Sequence, residues 1–179
     1  MNRTLSLLIP VLTFAFTDMS LAQAPKLKFE APKGWKKEQP SSRMRYAQFR
    51  IPSVKGGGED ATLAVFHFAG GGGGVQANLD RWIGQMRQPD GSSSKDKVKI
   101  TKKEYDDKTT HTLKVSGIFM DRVGGPFAGK VVPKKGYRMV AVVLVTKPGN
   151  FYFKWTGPEA TVRKWEEEFE KSISSTTAE

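Results

Sequence analysis

Hydrophobic and polar positions change period several times along the chain, and each change marks an element. In residues 43–51, RMRYAQFRI, Ala47, Phe49 and Ile51 share one face while Arg45 and Arg50 turn toward water or their neighbours, an alternation that predicts a strand. Shorter strands are expected over residues 28–30 and around Trp35, separated by the turn signal Pro32-Lys33-Gly34. Residues 53–60 are loop-like, and ATLAVFHF, residues 61–68, is rich in β-formers and predicts a well-buried strand. After the glycine run Gly70 to Gly74, the period lengthens. Val75, Leu79, Trp82, Ile83 and Met86 recur at helical spacing opposite Gln76, Asp80 and Gln85, the pattern of an amphipathic helix with one core-facing stripe.

A polar break over residues 88–97 ends that helix, and two β-patterned runs on either side of Asp106-Asp107-Lys108 predict a hairpin. Residues 121–136 show no clear period and hold four glycines and two prolines, so a long loop is expected. RMVAVVLV, residues 138–145, is almost continuously apolar, as a strand covered on both faces should be. Pro148-Gly149 suits a type II turn leading back into FYFKW. A final helix is expected from about Pro158 to Ile173, with Gly157 as cap and Glu159 favoured by the helix dipole. Val162, Trp165, Phe169 and Ile173 would line its buried face. Strands joined by tight turns with two long helices give an α+β class: a central, mostly antiparallel sheet with helices packed on its faces.

The first residues add a location. Arg3, the apolar run 5–16 and small residues near Ala22 and Ala24 form a secretory signal pattern, with cleavage expected after Ala22 and a single domain over residues 23–179. Periplasmic or extracellular export is the expectation. The chain has no cysteine, which excludes disulfides, thiol catalysis and thiolate metal sites. Its 29 basic and 18 acidic residues leave a net charge of +11, and signal cleavage removes one of each. Such a balance attracts anionic partners at long range without choosing among them.

Two stretches carry a family resemblance: Asn78-Leu79-Asp80-Arg81-Trp82 opening the first helix, and Tyr152-Phe153-Lys154-Trp155-Thr156-Gly157-Pro158 leading into the second. With the elements placed as above, the chain resembles exported bacterial proteins of the PsbP-like fold. That resemblance implies a central antiparallel sheet with helices on both sides and a binding or assembly role rather than catalysis. It carries over no functional residues.

The glycine run stands where a phosphate loop would, but Val75-Gln76 follow instead of a Lys-Ser/Thr pair, so an adaptable, mobile connector is expected rather than a nucleotide site. His67 and His111, the only histidines, fall in different strands without metal-ligand spacing, and no GxSxG or SxxK is present. No cofactor, metal or catalytic residue is expected. Lys95, Lys97, Lys99 and Lys103 are expected on one strand face with Val98 and Ile100 inward, a pattern that also guards an edge strand. Among the tryptophans, Trp82 and Trp165 belong to core stripes and Trp35 is the one expected to be free, while Glu166 to Glu168 and Glu170 read as a solvated helix face.

The long loop supplies the partner-binding expectation: Arg122, Phe127, Lys130, Lys134 and Lys135, contacting an anionic macromolecule or another exported protein. The expected function is a non-enzymatic exported binding or assembly module. The alternatives are a polyanion binder for nucleic acid or acidic cell-surface polymer, and a hydrolase with a scattered site.

Overall fold

The computed structural model describes residues 25–68, 70–124 and 129–179. The signal-peptide reading of residues 1–22 and the partner residue Phe127 lie outside the described residues. In chain order the elements are β1 (Leu27–Lys28), β2 (Lys36–Glu38), β3 (Arg45–Ile51), β4 (Ala61–His67), α1 (Gly74–Ile83), β5 (Met86–Arg87), β6 (Lys99–Glu104), β7 (Lys108–Val123), β8 (Lys130–Thr146), β9 (Gly149–Pro158), α2 (Glu159–Ser175) and β10 (Thr177–Ala178), with a short 3₁₀ turn at Ser94–Asp96.

The main sheet runs β2-β3-β4-β9-β8-β7-β5, with β6 also paired to β7, and all its pairings are antiparallel. The chain's last residues return to pair β10 with β1. The α+β class expected from the pattern is therefore observed.

Alternation along β8 divides the core in two. Val140, Val142 and Leu144 join a cluster with Phe153 and Trp155 of β9 and with Val162, Phe169 and Ile173 of α2. Met139, Ala141 and Val143 join the other cluster, with Leu79, Trp82 and Ile83 of α1. Successive side chains of a strand point to opposite faces, so the continuous apolar run in β8 reports that both faces of this strand are covered, by different helices. The coverage is uneven. α1 packs on β7 and β8, while α2 packs on β8 and β9. On the α1 side, the strip across β3, β4 and β9 carries the polar and small residues Gln48, Thr62, Ala64 and Lys154 in place of a helix partner.

Several expectations need correction. Residues 121–136 are largely not a loop: β7 extends to Val123 and β8 starts at Lys130, and the two pair from Val123–Lys130 back to Lys108–Thr146. Between the pairs Gly117–Tyr137 and Phe119–Lys134, two β8 residues oppose one of β7, and Gly136 adopts φ +69° there. This bulge supplies the local break that disguised a strand as an aperiodic segment. The β8–β9 turn is centred on Lys147-Pro148, since Thr146 pairs with Gly149, one position earlier than expected. Gly157 is a strand residue rather than a helix cap, because a Cβ there would lie 2.2 Å from the Cβ of Ala61 on β4.

Trp35 is buried, 8% exposed, and stacks on Phe169 at 5.9 Å with planes 15° apart. Ile100 is exposed instead of facing inward, because β6 is an edge strand and Lys95 lies in the 3₁₀ turn outside it. The acidic face of α2 is only partly solvated: Glu166 pairs with Arg138 and, at 3.2 Å, with Lys114, and Glu170 also pairs with Lys114.

Candidate functional site

Strands β3, β4 and β9 form the floor of a cleft of about 310 Å³ on the α1 side of the sheet. Gln48, Thr62, Ala64, Lys154 and Thr156 pave it. Ser41 and Arg45 wall one side, the loop residues Glu59 and Asp60 close one end, and the β7–β8 hairpin contributes Phe119, Asp121, Lys134 and Tyr137. The hairpin reaches over this floor because of its bulge. Beyond it, the alternation in β8 reverses, and Lys134 shares the cleft with Tyr137 although the two are three residues apart.

Lys154 is the centre of the arrangement. It stands in the aromatic run Phe151 to Trp155, where Phe153 and Trp155 point into the α2-side core and leave the lysine on the opposite face. Its ammonium donates to Oε1 of Gln85 at 3.1 Å and sits 5.5 Å from the centre of the Phe119 ring. Burial lowers its pKa from the ordinary 10.5 to about 8, the cations Arg45 and Arg81 push the same way, and Asp121 opposes them. Arg45 is half-buried, and burial lowers its pKa too, against the pull of Asp121. Its guanidinium donates to Oε1 of Gln48 at 2.5 Å.

The carboxylates of the cleft are unequally engaged. Glu59 accepts from Lys134 at 2.8 Å, and Asp60 accepts from Arg50 at 2.8 Å and from the backbone N–H of Ser53. Hydrogen bonds from Lys134 and Tyr137 hold Glu59 below its ordinary pKa, while burial and then Glu59 raise that of the Tyr137 phenol. Asp121 forms no ion pair among the described residues, and neither do Arg45, Arg81 or Lys154. Once the engaged pairs are set aside, Arg45 and Lys154 face one carboxylate in the cleft, and Arg81 stands on the far side of Lys154, outside it.

Of the partner residues expected from the sequence that lie among the described residues, Lys134 alone lines this cleft. Arg122 and Lys135 are exposed on the hairpin, as is Lys130 at the start of β8. Arg122 pairs with Val131 and Val123 with Lys130, so Arg122 and Lys130 point to opposite faces and do not form one patch. Lys97 and Lys99 line a separate shallow groove of about 380 Å³, where Lys114 and Arg138 are occupied by Glu166. Nδ1 of His67 donates to the carbonyl of Asn150 at 3.1 Å, and His111 lies on β7 opposite Lys102; neither lines the cleft. Among the described residues no group of three or more His, Asp or Glu is placed to hold a metal ion.

The glycine turn is tied down, contrary to the expectation of a mobile connector. Nδ2 of Asn78 donates to the carbonyls of Gly72 at 2.8 Å and Gly74 at 2.6 Å, and the Tyr152 hydroxyl donates to that of Gly71. A Cβ at Gly72, whose φ is +59°, would sit 2.7 Å from Phe68 and 2.9 Å from Tyr152. The turn thus folds against the aromatic wall beside Lys154. Sequence reasoning passed over Lys154, Arg45 and Asp121. A lysine inside an otherwise aromatic strand was the one available signal, since a charge there must face something other than the core.

No family model matches the chain, and no curated protein does. Solved structures do. The crystal structure of LpqN, involved in cell envelope biogenesis of Mycobacterium tuberculosis, matches 89% of this chain and 87% of its own at 12% identity with a TM-score of 0.51. The solution structure of cyanobacterial PsbP from Synechocystis sp. PCC 6803 matches 89% and 96% at 13% identity with a TM-score of 0.48. A protein of unknown function, PA94 from Pseudomonas aeruginosa, matches 79% and 94% at 10% identity with a TM-score of 0.45. At 12% identity the likeness to LpqN is one of fold alone.

Proposed function

We propose that the chain is an exported, non-enzymatic binding or assembly module that receives an anionic group of its partner in the cleft around Lys154. The observation that carries this reading is the convergence of Arg45, Arg81 and Lys154 on a helix-free strip of sheet with Asp121 as the one nearby carboxylate outside an ion pair among the described residues. A buried cation without a counter-ion is costly, and an incoming carboxylate or phosphate removes that cost. The net charge of +11 favours encounter with such a partner. Export is supported by the signal-like first residues, and LpqN, of similar fold, is described as involved in cell envelope biogenesis. A binding role is favoured over hydrolysis by the position of both histidines away from the cleft.

The contact thereby moves from the hairpin tip to the cleft, and of the residues expected from the sequence it keeps Lys134. Titration of the ¹⁵N-labelled protein with inorganic phosphate tests this. Lys154→Met should weaken binding by about tenfold or more, since a charge-assisted contact is lost. The double variant Lys130→Ala, Lys135→Ala should stay within about twofold. The reverse pattern would return the contact site to the hairpin tip and refute the cleft reading.

A further inference from the structure

Lys154 also belongs to a second cavity. Next to the polar cleft lies a pocket of about 310 Å³ walled by Met44, Phe66, Phe68, Trp82 and Tyr152, with Arg81, Gln85 and Lys154 at its polar end. The register explains the shared wall: on the same sheet face, Ala64 lies opposite Lys154 and Phe66 opposite Tyr152, one pleat further on. Phe66 and Phe68 stack at 6.2 Å with planes 13° apart, and Phe68 meets Tyr152 at 5.8 Å. Met44, 63% exposed, stands at the mouth as an adaptable apolar edge. The polar cleft and the apolar pocket thus meet at one ammonium, with Arg45 on the first side and Arg81 on the second.

We infer that this pair of cavities is built for a single-chain amphiphile with one acidic head, the head on Lys154 and Arg45 and the apolar body against Phe66, Phe68 and Trp82. The inference rests on the anion-binding reading of the cleft and adds the class of molecule that bears the anion. An apolar pocket alone would not select an occupant. Here the cations at its end do, because an amphiphile with a neutral head would leave Lys154 and Arg81 without a counter-charge, whereas a small inorganic anion would leave the aromatic walls in water. The volume suits a short alkyl chain or one ring rather than a two-chain lipid.

Three probes separate the parts: octyl phosphate, inorganic phosphate and octyl glucoside, each below its micellar concentration and followed by NMR and tryptophan fluorescence. Octyl phosphate should bind at least about 50-fold tighter than inorganic phosphate, the gain from burying three methylenes. Octyl glucoside should bind at least about tenfold more weakly than octyl phosphate. Phe66→Ala should reduce the 50-fold gain to about fivefold or less while leaving phosphate binding unchanged. Met44→Ser, at an exposed site where folding is not at stake, should lower the same gain about threefold. Octyl phosphate binding no tighter than phosphate would overturn the amphiphile and leave the anion cleft standing. Equal binding of octyl glucoside would overturn the acidic head. No response to either phosphate would overturn both this inference and the reading beneath it.

Discussion

Lys154 couples the fold to pH. Its pKa is about 8 in the folded protein against an ordinary 10.5, so between these values the unfolded chain holds a proton that the folded one has released. Stability should therefore rise with pH across that window, through this group, by on the order of 3 kcal/mol in total. Lys154→Met should abolish the rise and stabilise the protein below pH 8, where the native lysine must carry its charge against burial; denaturant unfolding at pH 7.5 and pH 10 reads both effects. Anion binding has the opposite sign, because it needs the ammonium and should weaken as pH climbs through 8. Gly72 is the second residue on which the site leans. Gly72→Ala combines a left-handed backbone with contacts of 2.7 Å to Phe68 and 2.9 Å to Tyr152, so a loss of about 1–3 kcal/mol is expected. Gly70→Ala, where a Cβ would meet nothing within 4 Å, should stay within about 0.5 kcal/mol in the same thermal melts.

At the scale of elements, α2 is held at its far end by a lysine from the sheet. Lys108, buried at the start of β7, donates to the carbonyls of Ser174 and Thr176 at 2.7 Å each, placing a positive charge where the last turn leaves its carbonyls unpaired. Lys108→Met should cost about 1–3 kcal/mol and speed amide exchange in the last turn of α2 without disturbing α1. Elements with a strong period were legible in the sequence. The stripe from Val75 through Ile83 became α1, the alternation from Ala47 to Ile51 became β3, and the apolar run in β8 gave a doubly covered strand. The β7–β8 hairpin was legible as strand through Met120 and again from Arg138, but not between, because a bulge inverts the alternation and no local pattern reports a register set by the partner strand. Met86, on the apparent stripe of α1, is buried from β5 instead, where it pairs with Phe119. Trp35 was misjudged for a similar reason. Its burial depends on Phe169, distant in sequence, closing over it.

At the scale of the molecule, two helices among the described residues leave one strip of so broad a sheet without a helix over it, and the proposed site lies there. α2 seals one face with an aromatic cluster of Trp35, Phe153, Trp155 and Phe169, and α1 packs on the other face chiefly over β7 and β8. No helix among the described residues is long and apolar enough to cross a membrane. The net charge was visible from composition, yet it pointed to the exposed lysines, which many solvated surfaces carry. Lys154 and Arg45, by contrast, are partly withdrawn from water, and that withdrawal follows from tertiary packing around β3 and β9, while Arg81 of α1 stays exposed beside them. Sequence could show that Lys154 sits among aromatic residues, but not that Arg45 and Arg81 would come to meet it.

In the binding role proposed above, Lys154 is a partly buried cation that an anionic group of the partner neutralises. The most direct measurement is the pKa of its ammonium by NMR, in ¹⁵N,¹³C-lysine-labelled protein, with and without saturating phosphate. A value near 8 is expected in the free protein, moving up by about one unit or more when phosphate binds. A value near 10.5 that phosphate leaves unmoved would contradict it.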